Sequence, residues 1–374
     1  MHKTSAWPLA LVYAALIVFA SLFPFMGWRA QGIPPWVFLL APLPPPYWTG
    51  FDVVTNVVGY GPLGFLLALA LLRTGRGWVA VPLALALLAG TMLSLSLEFL
   101  QIYLPQRVPS NLDLALNAAG ALLGALSAAL LERLGAIDRW SRFRARWFAH
   151  DARGALVLLA LWPWALLFPA AEPFGLGQVL ERLEAALGEL LADTPFLAWL
   201  PVREAPLQPL SPVAELLCVA LGLLVPCLLA FSMVRHRGRR VVLVLGIALV
   251  GIAATALSAA LSYGPTHAWA WLGMPVRAGI WLGMVLAALM IALPQRVCAV
   301  LLLVLLTVHL ALLNDAPASA YFAQTLLVWE QGRFIRFYGL GQWLGWLWPY
   351  ATLVYVLLRA SRRSGASKSD SLLK

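Results

Sequence analysis

The chain has 374 residues, 62% of them apolar and only 11% charged, with a mean hydropathy of +0.84. Ordinary soluble domains carry roughly 25% charged residues, so a soluble enzyme, a disordered chain and a nucleic-acid binder are excluded despite the net charge of +10. What remains is an all-α, polytopic helical membrane protein.

At about 20 residues per crossing, ten apolar segments read as spanning helices: approximately 7–27, 52–72, 78–102, 113–133, 154–172, 212–234, 241–263, 276–294, 297–314 and 341–359. The first is a helix and not a cleaved signal, because Phe23-Pro24-Phe25-Met26 stands where a small-x-small cleavage site would be. A cytoplasmic N-terminus leaves only Arg29, Arg107, Arg182, Arg203, Arg277, Arg333 and Arg336 outside, out of 26 Lys and Arg. The basic charge therefore marks an N-in, C-in topology and carries no nucleic-acid surface. The expected location is the cytoplasmic (inner) membrane, with membrane lipids as partners.

Three parts follow. Residues 1–135 form a four-helix membrane domain. Residues 136–153 form a basic cytoplasmic connector whose arginines, with Trp140, Trp147 and Phe148, lie along the inner headgroups. Residues 154–374 form a six-helix membrane domain. Three outside stretches are more than turns. The proline density of 29–50 forbids a regular helix, and its Trp36, Tyr47 and Trp48 suit a membrane interface. Residues 176–193 place Leu176, Val179, Leu180, Leu183, Leu187, Leu190 and Leu191 at helical spacing, as in an amphipathic surface helix. Residues 319–338 predict a second such element.

Intramembrane polar groups are costly, on the order of 2.5–3.5 kcal/mol each for charges at the bilayer centre, so their placement is informative. Asp52, Asn56 and Tyr60 form one stripe at i, i+4, i+8. Ser94, Glu98 and Gln101 share a face of the next helix. After a short loop holding Arg107 and Ser110, Asp113 and Asn117 begin a third stripe that continues through Gly120 and Gly124. All three stripes fall in the outer half of the bilayer, Asn56 and Asn117 roughly 6 Å below their helix ends. They are expected to face one another across a polar pocket open to the extracytoplasmic side, with the glycines allowing close helix approach. Each group has a plainer alternative: Asn117 or Gln101 as interhelical glue, Asp113 as an N-cap, Arg107 as a rim ion pair. Asp52, Glu98 and Asp113 against Arg107 leave a formal charge of −2, so one carboxyl is protonated or a cation completes the site. The deepest, Glu98, and Asp52 are the candidate catalytic carboxylates.

Cys218, Cys227 and Cys298 have neither metal-site spacing nor a disulfide pattern. His309 reads as a helix-packing donor, and the C-terminal half is otherwise sparse in polar groups.

The run Asp52-x3-Asn56-x3-Tyr60-x-Pro62-Leu63-Gly64, then Glu98-x2-Gln101, Pro105-x-Arg107-x2-Ser110-x2-Asp113-x3-Asn117-x2-Gly120-x3-Gly124, resembles the VanZ-like family. The resemblance covers about residues 10–135, with Val53 and Asn56 where many members carry Lys and His. It implies a small bacterial membrane domain linked to teicoplanin resistance. Three functions are compatible with the residues. One is binding of a lipid-linked or amphipathic envelope molecule. Another is an integral-membrane hydrolase or transferase acting on a lipid-linked phosphate or sugar, with Glu98 or Asp52 as base, Arg107 as phosphate ligand and an oxygen-rich set that would suit Mg²⁺. The third is a cation-coupled transporter. No nucleophile–His–acid set, P-loop or other cofactor motif appears, so no cofactor or metal is assigned.

Overall fold

The computed structural model describes residues 6–317 and 335–372, apart from Pro24, Ile33, Pro35, Pro44, Pro46, Tyr47, Arg76, Gly77, His150, Pro169, residues 201–206 and Gly264. Among the described residues there is no strand. The helices are α1 (Ala6–Leu22), α2 (Gly50–Thr74), α3 (Ala80–Gln101), α4 (Asn111–Arg133), α5 (Ala136–Trp147), α6 (Arg153–Leu166), α7 (Leu180–Leu191), α8 (Pro212–Phe231), α9 (Arg237–Tyr263), α10 (Met274–Met290), α11 (Gln295–Asn314) and α12 (Ile335–Leu372). Six of them, α2, α3, α4, α8, α9 and α11, are long and apolar enough to cross a membrane; α1, α6 and α10 are apolar but shorter. The expected segment 341–359 lies within α12. The chain divides into two compact units, Met1–Phe143 and Arg144–Lys374.

Unit one is organised by α2 and α4, which run parallel. Asn56 meets Asp113 at one end and Arg73 meets Glu132 at the other. Between these ends the backbones touch. A Cβ added at Gly124 would lie 1.9 Å from the Gly61 carbonyl oxygen, and one at Gly120 would lie 2.4 Å from that of Val57. Gly64 meets Ala121 in the same way, also at 1.9 Å. With no hydrophobic drive between helices in lipid, such small-residue contact is what brings two helices together. Helix α3 closes the group by seating Gly90 on the Ala121 methyl. Helix α1 is tied on by the Tyr13 hydroxyl, which donates to the Gly59 carbonyl at 3.0 Å.

Unit two is built around α8, in which every residue from Cys218 to Phe231 is buried. A helix that is apolar all round belongs inside a bundle. Gly279 and Gly283 of α10 let that helix lie directly on the α8 backbone. One charge is enclosed with it. Arg240, 2% exposed, donates to the carbonyls of Phe231, Val234, Ile291 and Leu293 at 2.6–2.9 Å. These carbonyls end α8 and α10, so the guanidinium caps two negative helix termini at once. Read from the sequence as one more orientation marker, Arg240 is a structural group.

The expected span 154–172 is corrected. Helix α6 stops at Leu166, and the chain continues as irregular backbone that is buried from Phe174 to Gly177. Phe174, at a positive φ of 62°, stacks on Trp162. It fits because Gly222 and Gly251 leave space: a Cβ at either would lie within 2.7 Å of Phe174. Irregular backbone among apolar helices must satisfy its polar groups internally. The Gly177 amide donates to the Gly345 carbonyl. The Asn314 side chain donates to Gly177 and accepts from the amides of Val179 and Leu180. Gln178 donates in return to the carbonyls of Leu313 and Ala316. Each amide side chain thus caps the other's helix. The amphipathic helix consequently starts at Leu180, and Leu176 belongs to the core and not to its stripe. Asn314→Leu is expected to release this segment, at a cost of about 2 kcal/mol, seen as faster proteolysis within 175–200. The second expected surface element, 319–338, falls largely outside the described residues, and its last residues open α12.

Candidate functional site

The site is assembled from two helix starts and one helix end in unit one. Thr49 caps α2, and Asp52 at the third helical position accepts in return from the Thr49 amide, a complete capping box. Ser110 caps α4 and accepts from the Asp113 amide. The plainer reading of Asp113 as the N-cap is thereby corrected, since Ser110 holds that position. This frees the Asp113 carboxylate to accept from the Asn56 side chain at 3.0 Å.

Helix α3 supplies the buried wall through Ser94, Glu98 and Gln101. Glu98, 4% exposed, accepts from the Ser110 amide at 2.9 Å, so the end of α3 is joined to the start of α4. One turn deeper, the Asn117 amide donates to the Ser94 hydroxyl at 2.9 Å. Tyr60 of α2 is buried beside the same Ser94 and Glu98. The Asn117 carbonyl oxygen is buried and has no hydrogen-bond partner among the described residues.

Of the sequence-expected residues, the structure brings together Asn56, Tyr60, Glu98, Ser110, Asp113 and Asn117. Arg107 and Gln101 also reach α1. Arg107 donates to the Phe23 carbonyl at 2.8 Å and Gln101 to that of Ser21 at 3.2 Å, closing the C-terminal end of that helix. Among the described residues the Asp52 carboxylate bonds only Thr49. Ser94, placed on the Glu98 face by its i, i+4 spacing, joins the site through the Asn117 side chain. The carbonyls of α1 carry no sequence signal at all, because they are main-chain groups. The proline-rich stretch is fastened at this end of the unit. Gln31 donates to the Ile102 carbonyl, Asn111 donates to that of Ala41, and buried Phe38 meets Phe99 edge-on. Among the described residues no three His, Cys, Asp or Glu side chains converge as a metal-ligand set.

Glu98, Gln101, Arg107, Ser110, Asp113 and Asn117 all make contacts at one end of unit one. Residues 5–132 match the VanZ/LLP1 family model. This N-terminal portion is a VanZ-like domain, and it contains every residue of the site. No curated protein and no solved structure matches the chain. Within the VanZ-like domain, the glycines of the register set the α2–α4 spacing, and the polar positions lie beyond them toward the starts of α2 and α4.

Proposed function

We propose that the VanZ-like domain binds the polar head of a lipid-linked or amphipathic cell-envelope molecule from the extracytoplasmic side. The whole chain would be an inner-membrane protein of ten spans, N-in and C-in, and binding would alter teicoplanin-type susceptibility or envelope assembly. The observation that carries this reading is the buried Asn117 carbonyl oxygen, without a partner among the described residues, beside Ser94, Tyr60 and Glu98. An unsatisfied buried acceptor costs about 1–3 kcal/mol, and a hydroxyl, amide or amine of a bound head would recover it. The inner wall is rich in acceptors, which suits a ligand that brings donors. The enzyme reading is weaker, because Asp52, one of its two candidate bases, spends its carboxylate on a helix cap.

Glu98→Gln keeps the shape and an oxygen for the Ser110 amide, so the expected outcome is a folded protein without function. The measurement is complementation of a deletion strain, scored by drug susceptibility and by the pool of lipid-linked intermediates. Altered susceptibility with an unchanged pool supports binding. A changed pool would favour chemistry or flipping, and wild-type behaviour of Glu98→Gln would remove the site from consideration.

A further inference from the structure

Unit two holds a second site at the end where the connector joins α8 and α9. An open cavity of about 490 Å³ is lined there by Arg146, Arg235, His236 and Arg239, with Trp147 and Phe148. The volume lies in the range of small-molecule sites, about 300–1,000 Å³. Its wall is tied together. The Ala149 amide donates to the Met233 carbonyl at 2.8 Å, which fastens the chain after α5 to the end of α8. Arg239 donates to the Arg146 carbonyl and sits 5.4 Å from the centre of the Trp147 ring.

The charge on this wall is one-sided. Asp151 is the acid on it, and Arg359 holds both of its carboxylate oxygens, at 2.7 and 2.9 Å. Among the described residues no ion pair reaches Arg146, Arg235 or Arg239. Helix α9 begins at Arg237, between cavity residues 236 and 239, so its positive terminus opens at the same place. Three arginines with no carboxylate of their own, at a helix N-terminus, form a receptor for a multiply hydrogen-bonding anion. A phosphate suits the planar guanidinium fork best.

We infer that this cavity binds the phosphate of an anionic phospholipid headgroup. A free phosphate offers the same anion, but two features favour the lipid. Trp147, Phe148 and Met233 give the cavity an apolar side that a soluble anion would not use. The cavity also lies at the ends of α8 and α9, both of membrane-spanning length and composition, which is headgroup level. The site lies in the unit outside the VanZ-like domain and does not depend on the function proposed for that domain.

The test is native mass spectrometry of the full-length protein released from detergent with phosphatidylglycerol, phosphatidylcholine or sodium phosphate as probe. The expected result is one retained phosphatidylglycerol and no retained phosphatidylcholine. The double variant Arg146→Gln with Arg235→Gln, whose side chains bond no described residue, should lose at least tenfold in apparent affinity. Arg235→Glu, a single change at an exposed position, provides the same reading should the double variant express poorly. Equal retention of both lipids, or wild-type retention by the folded variants, would overturn the site. Displacement of the lipid by millimolar phosphate, with phosphate itself retained, would overturn the lipid assignment.

Discussion

Gly124→Val is expected to disrupt the VanZ-like domain, while Gly59→Ala, on the neighbouring helix, is expected to leave its stability within about 1 kcal/mol. The difference lies in what each new side chain meets. Even the first carbon added at Gly124 would stand 1.9 Å from the Gly61 carbonyl oxygen, whereas nothing lies within 4 Å of a Cβ at Gly59. The obstacle at Gly124 is main chain and cannot rotate away, so α2 and α4 must separate. Overpacking of this kind costs about 1–3 kcal/mol, and valine belongs at the top of that range or above it. Separation would also part Asn56 from Asp113 and Arg73 from Glu132, the contacts at the two ends of the pair. Thermal unfolding in detergent followed by circular dichroism would show the difference. A Gly124→Val protein as stable as wild type would mean that the two backbones are not in contact.

Arg240→Met is expected to destabilise the C-terminal unit by at least about 1–3 kcal/mol, the cost of leaving buried carbonyl acceptors unsatisfied. The methionine would fill the volume and remove the guanidinium donors from the carbonyls of Phe231, Val234, Ile291 and Leu293. Arg240→Lys should recover only part of the loss, because an ammonium has three donors on one atom and cannot bridge the ends of two helices. Arg237→Met supplies the control. It lies on the same turn but is exposed, and a change within about 0.5 kcal/mol is expected there. Thermal unfolding of the three variants separates these cases, and equal effects at 237 and 240 would refute the capping role.

The positions of most helices follow directly from hydropathy, because a lipid-facing surface demands long apolar runs regardless of partner. The stripes on α2, α3 and α4 were legible for the same reason: a polar side chain within such a run is expensive, so its register carries information. The exception is instructive. Residues 154–172 are as apolar as their neighbours, yet α6 ends at Leu166 and Phe174 enters a niche left by Gly222 and Gly251. Hydropathy reports depth and not backbone conformation, and the caps that permit the break, Asn314 and Gln178, are more than a hundred residues apart.

The site divides along the same line. Composition and spacing alone pointed to a membrane protein, to polar stripes on α2, α3 and α4 and to the glycines needed for close approach, since each depends only on the cost of polar or bulky groups in lipid. Which polar group meets which was decided by the tertiary structure. Asp52 turns to its own cap, Arg107 and Gln101 reach the carbonyl end of α1, and Asn117 keeps a buried oxygen without a partner among the described residues. The charges divide likewise. As a sum, the +10 said nothing about partners. In the fold, Arg240 closes two helix ends, while Arg146, Arg235 and Arg239 surround a cavity without an acid of their own. Side chains so distant in sequence acquire their partners only when the helices pack, because hydrogen bonds and charge compensation act over a few ångströms.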